Sequence, residues 1–128
     1  MRALVDTHTF LWWASGGGQL SDRARAIVED PANDVLMSVA SAWEIAIKVA
    51  VGRLELQAPP ERYVPDRMQR HGLVPLRVEL SHALRAGRLP MIHADPFDRL
   101  LVAQAQVEGL PIITADPAIG RYDVDVIW

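Results

Sequence analysis

At 128 residues the chain has the length of one domain with a core of its own, and no internal repeat or low-complexity linker divides it. Half of the residues are hydrophobic and 23% are charged, which excludes a disordered chain, and the absence of cysteine excludes disulfides, zinc thiolates and thiol nucleophiles. A net charge of −3 argues against a generally basic nucleic-acid binder, but a metal held by acids inverts the local sign and can receive phosphate.

Strand-like and helix-like segments alternate along the chain. Ala3-Leu4-Val5 is a short continuous apolar run, as in a strand covered on both faces. It is too short for the core of a signal peptide, and no stretch reaches the roughly 18 apolar residues of a spanning helix. The expectation is a cytoplasmic protein without a membrane association. A short helix is expected over Thr9 to Ala14, ending at Gly16-Gly17-Gly18. Ser21 reads as the N-cap of a helix to Glu29 that Pro31 stops, and Val35-Leu36-Met37 as a second strand. A helix follows over Val39 to Val51, with Gly52 suited to the left-handed residue beyond its end.

Pro59-Pro60 precedes a polar helix over Glu61 to Arg70, closed by His71-Gly72. Leu73 to Val78 is extended, and Pro75 makes it an edge or irregular strand. Glu79 to Ala86 is helical and ends at Gly87; Phe97 to Glu108 is helical and ends at Gly109. Ile112-Ile113-Thr114 reads as another buried strand and Val124 to Trp128 as a last one. Such alternation implies parallel pairing through right-handed crossovers, with sites beyond the carboxyl ends of the strands where strand order reverses.

Four carboxylates stand where buried segments begin, end or are interrupted. Asp6 closes the first strand, Glu44 is the one acid between Val35 and Val51, Asp98 opens a helix and Asp116 follows the strand at Thr114. An acid against apolar neighbours is costly unless its charge is compensated, and several together hold protons unless a cation joins them. The pattern points to a metal site built from oxygen ligands. Each acid also has a structural reading. Asp95 makes a good N-cap before Pro96, and Asp98 favours a helix N-terminus. Ser41 to Glu44 matches a capping box, and Glu44 to Lys48 is a favourable i, i+4 pair. Asp6 and Asp116 both suit turns or caps.

Other chemistry finds little support. His8, His71, His82 and His93 lack the spacing of a helical zinc site; His8 and His93 fall near the acids, but structural roles are favoured for them. Gly16-Gly17-Gly18 has no strand before it and is not a phosphate loop. The arginines of the middle third, Arg62 to Arg99, form either a phosphate-tracking patch or a solvated helix face. Trp12, Trp13, Trp43 and Trp128 are read as core or dimer contacts.

Four blocks together resemble a bacterial PIN-domain toxin of the VapC type. They are Leu4-Val5-Asp6-Thr7-His8; Ser38, Ser41, Trp43, Glu44 and Ile45; His93 with Asp95-Pro96-Phe97-Asp98-Arg99-Leu100-Leu101; and Ile113-Thr114-Ala115-Asp116. The resemblance is collinear over nearly the whole chain. It implies a PIN-like three-layer α/β/α fold with a mainly parallel central sheet, formed as a single domain over residues 1–128. It also implies an Mg²⁺-dependent ribonuclease, with Mn²⁺ as an alternative cofactor. By the same resemblance Asp6, Glu44, Asp98 and Asp116 are the catalytic and metal-binding quartet, Asp95 is an extra acid and Thr114 a supporting hydroxyl. Thr7 is a further supporting position, and Arg99 and Lys48 are candidates for phosphate contact or for pairing with the acids. A homodimer and inhibition by a cognate VapB-type antitoxin are implied as well. The expected chemistry is in-line attack by water on an RNA phosphodiester. The rivals are a phosphatase with an aspartyl nucleophile, a phospho-acceptor receiver-type domain, and a non-catalytic RNA- or protein-binding module on the same fold.

Overall fold

The computed structural model describes all residues, Met1–Trp128. Five strands form one sheet: β1 (Arg2–Val5), β2 (Asp34–Ser38), β3 (Val74–Leu76), β4 (Ile112–Ile113) and β5 (Val126–Ile127). Their order is β3-β2-β1-β4-β5 and every pairing is parallel. Six helices connect or flank them: α1 (Thr7–Ala14), α2 (Asp22–Glu29), α3 (Val39–Ala50), α4 (Pro60–His71), α5 (Leu80–Gly87) and α6 (Pro96–Glu108).

The continuous apolar runs of the central strands follow from burial on both faces. Alternate residues divide between two cores. Ala3, Val5, Val35, Met37 and Ile113 pack with Phe10 and Trp13 of α1, Ala24 and Val28 of α2, Ile45 of α3 and Tyr63 and Val64 of α4. Leu4, Leu36 and Ile112 face the other way, onto Leu101, Val102 and Ala105 of α6 and onto Ile119 and Tyr122. The molecule is thus three layers, helices on both sides of a parallel sheet. No helix is long and apolar enough to cross a membrane.

Local chemistry sets the element ends. Ser21 Oγ accepts from the Ala24 amide at 3.0 Å and starts α2. Gly72 and Gly109 take φ of 69° and 67° beyond α4 and α6, a conformation that favours glycine. As Pro75 implies, β3 is an edge strand. Of the tryptophans, Trp13 is core, whereas Trp43 is 65% exposed.

One local expectation is corrected. The N-cap of α3 is Ser38, whose Oγ accepts from Ala40 N at 3.0 Å, so Ser41 and Glu44 lie inside the helix and form no capping box. Glu44 therefore has no role at the helix terminus and still lies buried at 2% exposure.

The chain runs from β1 outward to β2 and β3, then returns to the other side of β1 for β4 and β5. Strand order reverses between β1 and β4, where Val5 pairs with Ile113. The turn after β1 and the turn after β4 consequently open side by side, and the N-terminus of α6 faces them. Such a reversal leaves a crevice at the carboxyl edge of a parallel sheet.

A candidate acidic metal centre

Asp6 is the residue after β1 and the N-cap of α1, buried to 3% exposure. Its Oδ1 accepts from Thr9 N at 2.8 Å and its Oδ2 from Thr114 Oγ1 at 2.5 Å. Thr114 in turn accepts from the Asp116 amide at 3.0 Å. One hydroxyl thereby couples the acid after β1 to the acid after β4. Asp116 Oδ1 accepts from Ala118 N at 2.9 Å, which fixes its carboxylate and leaves Oδ2 turned to the crevice, 3.0 Å from His93 Nε2.

Glu44 enters from α3. Its Oε1 accepts from Thr7 Oγ1 at 2.6 Å, with Ser41 Oγ 3.0 Å from the same hydroxyl, and its Oε2 pairs with Lys48 Nζ at 2.7 Å. The sequence pairing of Glu44 with Lys48 is therefore present, and it balances the charge of a carboxylate that burial would otherwise penalise.

Asp98 has no lysine or arginine partner. It lies in the first turn of α6, with its side chain 15% exposed, and its Oδ2 is 3.0 Å from His93 Nε2. Burial, chiefly, and then the Asp95 carboxylate push its pKa up to about 7; His93 opposes the rise, and Glu44 and Asp6 add to it. That Asp6 and Glu44 act on Asp98 places three of the four acids of the sequence within electrostatic reach of one another. The fourth, Asp116, joins them through His93.

Asp95 does the work of a cap: Oδ1 accepts from Phe97 N at 2.8 Å and from Asp98 N at 3.4 Å. Arg99, expected at phosphate or an acid, instead donates to the carbonyls of Pro90 (2.9 Å), Ala86 (3.0 Å) and Leu89 (3.2 Å). It holds the α5–α6 connection and leaves the acids alone, because three backbone acceptors in a tight loop match its planar fork of donors. His8 is exposed and lies against Trp12, with ring centroids 5.9 Å apart.

The sequence puts His93 near the acids but favours a structural role for it; the structure sets its Nε2 between the carboxylates of Asp98 and Asp116. The signal was its place two residues before Asp95, in the same loop that delivers Asp98. Reasoning also did not find Tyr122, whose hydroxyl accepts from His93 N at 2.8 Å.

The donor set suits a hard divalent cation. His93 Nε2 and one carboxylate oxygen each from Asp98 and Asp116 lie within 4.8 Å of one another, and Mg²⁺ or Mn²⁺ prefers carboxylate oxygens and retained water. Burial first, and the neighbouring acids after it, disfavour the charged form of Asp98, a cost that a cation bound there would offset. A cleft of about 1100 Å³ is lined by Trp12, Lys48, Arg53, Arg67 and His71; none of the four acids lines it, and Lys48, the partner of Glu44, is its one link to them.

Comparison with known proteins agrees with this architecture. Ribonuclease VapC16 of Mycobacterium tuberculosis is 51% identical over 61 residues, which span 48% of this chain and 43% of that protein. The chain thus aligns with less than half of the length of that relative. Ribonuclease VapC22 of the same organism is 28% identical over 117 residues, 88% of this chain and 85% of that protein. Among solved structures, VapBC2 from Rickettsia felis bound to a promoter DNA fragment superposes with a TM-score of 0.69 at 13% identity, covering 99% of this chain and 98% of that one. The PIN domain family model matches residues 3–125, so the chain belongs to the PIN domain family.

Proposed function

We propose that the 128 residues act as a single PIN-like domain, a metal-dependent endoribonuclease and toxin of the VapC type. What supports the reading is the meeting of the Asp98 and Asp116 carboxylates at His93, with Asp6 and Glu44 in electrostatic reach of Asp98 and no lysine or arginine paired with it. The kinship with proteins named ribonuclease VapC supports RNA as the substrate.

In this reading Asp6, Asp98 and Asp116 hold Mg²⁺ or Mn²⁺, directly or through water. A bound ion of this kind would activate water and neutralise charge on the scissile phosphate. Thr114 fixes Asp6 and Asp116 in relative position through its single hydroxyl. Glu44, which Thr7 and Lys48 hold, would be a further ligand or would orient the attacking water. The water attacks phosphorus in line, so the products carry 5′-phosphate and 3′-hydroxyl ends. End-group analysis of the cleaved RNA tests this: 2′,3′-cyclic phosphates would require attack by the ribose hydroxyl and would overturn the mechanism.

A cognate VapB-type antitoxin is the proposed protein partner, and a homodimer the proposed assembly. The names of the relatives and of the VapBC2 structure support the first. The non-catalytic rival explains less, because a mere binding module has no need for a half-buried acid whose charge its neighbours disfavour.

A further inference from the structure

His93 occupies the position between two acids where positive charge is wanted. Its Nε2 lies 3.0 Å from Asp116 Oδ2, to which it is hydrogen-bonded, and 3.0 Å from Asp98 Oδ2. The two carboxylates come from different elements, α6 and the turn after β4, and this ring is what joins them directly. Read by distance alone, His93 would be a third metal ligand.

The far side of the ring argues otherwise. Asp95 N donates to His93 Nδ1 at 3.2 Å, so Nδ1 is an acceptor and bears no proton. An imidazole whose Nδ1 accepts carries its proton on Nε2, here directed at the Asp116 carboxylate. A nitrogen that carries a proton has no lone pair to offer a metal. Ligating histidines show the opposite arrangement, with the far nitrogen donating to a carbonyl or carboxylate. His93 N donates to Tyr122 Oη at 2.8 Å, which anchors the loop that carries the ring.

We propose that His93 is a displaceable stand-in for the cation and not a ligand. In the metal-free protein its Nε2–H occupies the space between Asp98 and Asp116 and bonds Asp116. When the cation arrives, the hydrogen bond to Asp116 is broken and the ring gives up its place. The inference rests on the metal-site reading given above and assigns to this residue a role the quartet does not include. The consequence is that the histidine weakens metal binding by competing with it.

Mn²⁺ titration calorimetry on the wild type, His93→Ala and His93→Gln tests this, together with pulsed EPR of the Mn²⁺-loaded wild type. Removing the competitor should tighten Mn²⁺ binding about three- to tenfold in His93→Ala, the scale of one hydrogen bond's net contribution. His93→Gln keeps an N–H donor and should bind close to wild type. The EPR spectrum should show no imidazole nitrogen coupling. Weaker binding in His93→Ala, or a nitrogen coupling in the wild type, would overturn the proposal and make His93 a ligand in a mixed nitrogen and oxygen set. Should His93→Ala fail to fold, the wild-type EPR spectrum decides by the same criterion. Absence of Mn²⁺ binding in all three proteins, each shown folded by circular dichroism, would sink the metal site itself and the proposal with it.

Discussion

Asp98→Asn should make the metal-free protein more stable at pH 8 while removing its response to metal. The folded protein raises the Asp98 pKa from 3.8 to about 7. Between those values the folded state binds more protons than the unfolded state, so this group's contribution to stability is full below pH 4 and is lost as pH rises through 7. Three pKa units correspond to a ceiling of about 4 kcal/mol at pH 8. The side chain keeps 15% exposure, and relaxation around a charge near the surface reduces such a figure, so about 1–2 kcal/mol is the expected penalty. The N-terminus of α6 returns about 0.3–1 kcal/mol to the charged form, too little to reverse the sign. Asparagine has the same shape and no charge. In EDTA at pH 8 its melting temperature should therefore exceed wild type by about 3–8 °C, and at pH 4 the two should nearly coincide. Added Mn²⁺ should raise the wild-type melting temperature and leave the variant unmoved. A variant less stable than wild type by the same amount at both pH values would refute the reasoning, because the acid would then be a structural hydrogen-bonding group.

Other substitutions separate the roles of the surrounding residues. Thr114→Val removes the hydroxyl shared by Asp6 and Asp116; Mn²⁺ affinity measured by calorimetry should fall about 10-fold or more with the fold retained. Lys48→Met leaves Glu44 buried without its partner and should cost about 1–3 kcal/mol in urea unfolding. Adding Glu44→Gln to that variant should recover most of the loss, a coupling that a double-mutant cycle reads directly. Arg99→Ala breaks three bonds to carbonyls and should destabilise by about 1–3 kcal/mol, with Mn²⁺ affinity unchanged.

Most of the fold was legible because its signals are local. Val35-Leu36-Met37 and Ile112-Ile113 are short apolar runs bounded by turn residues, and burial on both faces leaves them no other reading. Ser21, Gly72 and Gly109 mark helix ends by their own side-chain or backbone chemistry. The acids were legible for a related reason, since a carboxylate at the edge of an apolar run is costly without a function. What failed was choice among chemically equivalent local partners. Ser38 and Ser41 can each cap a helix, and only the backbone direction leaving β2 decides for Ser38. Arg99 follows Asp98 in sequence, but its position on the helix turns it toward the α5–α6 loop and away from the acids. His93 was weighed alone, and its partner Asp116 is 23 residues distant, a pairing that exists only once β4 lies beside β1.

Cleavage of a structured RNA pool by the purified protein, with Mg²⁺ or Mn²⁺, with EDTA, and with Asp98→Asn in the same metals, tests the central claim most directly. The account predicts cleavage that requires the metal and disappears in the variant although the variant is folded. Cleavage that survives both EDTA and the substitution would contradict it, since neither the cation nor the acid at the centre of the cluster would then take part.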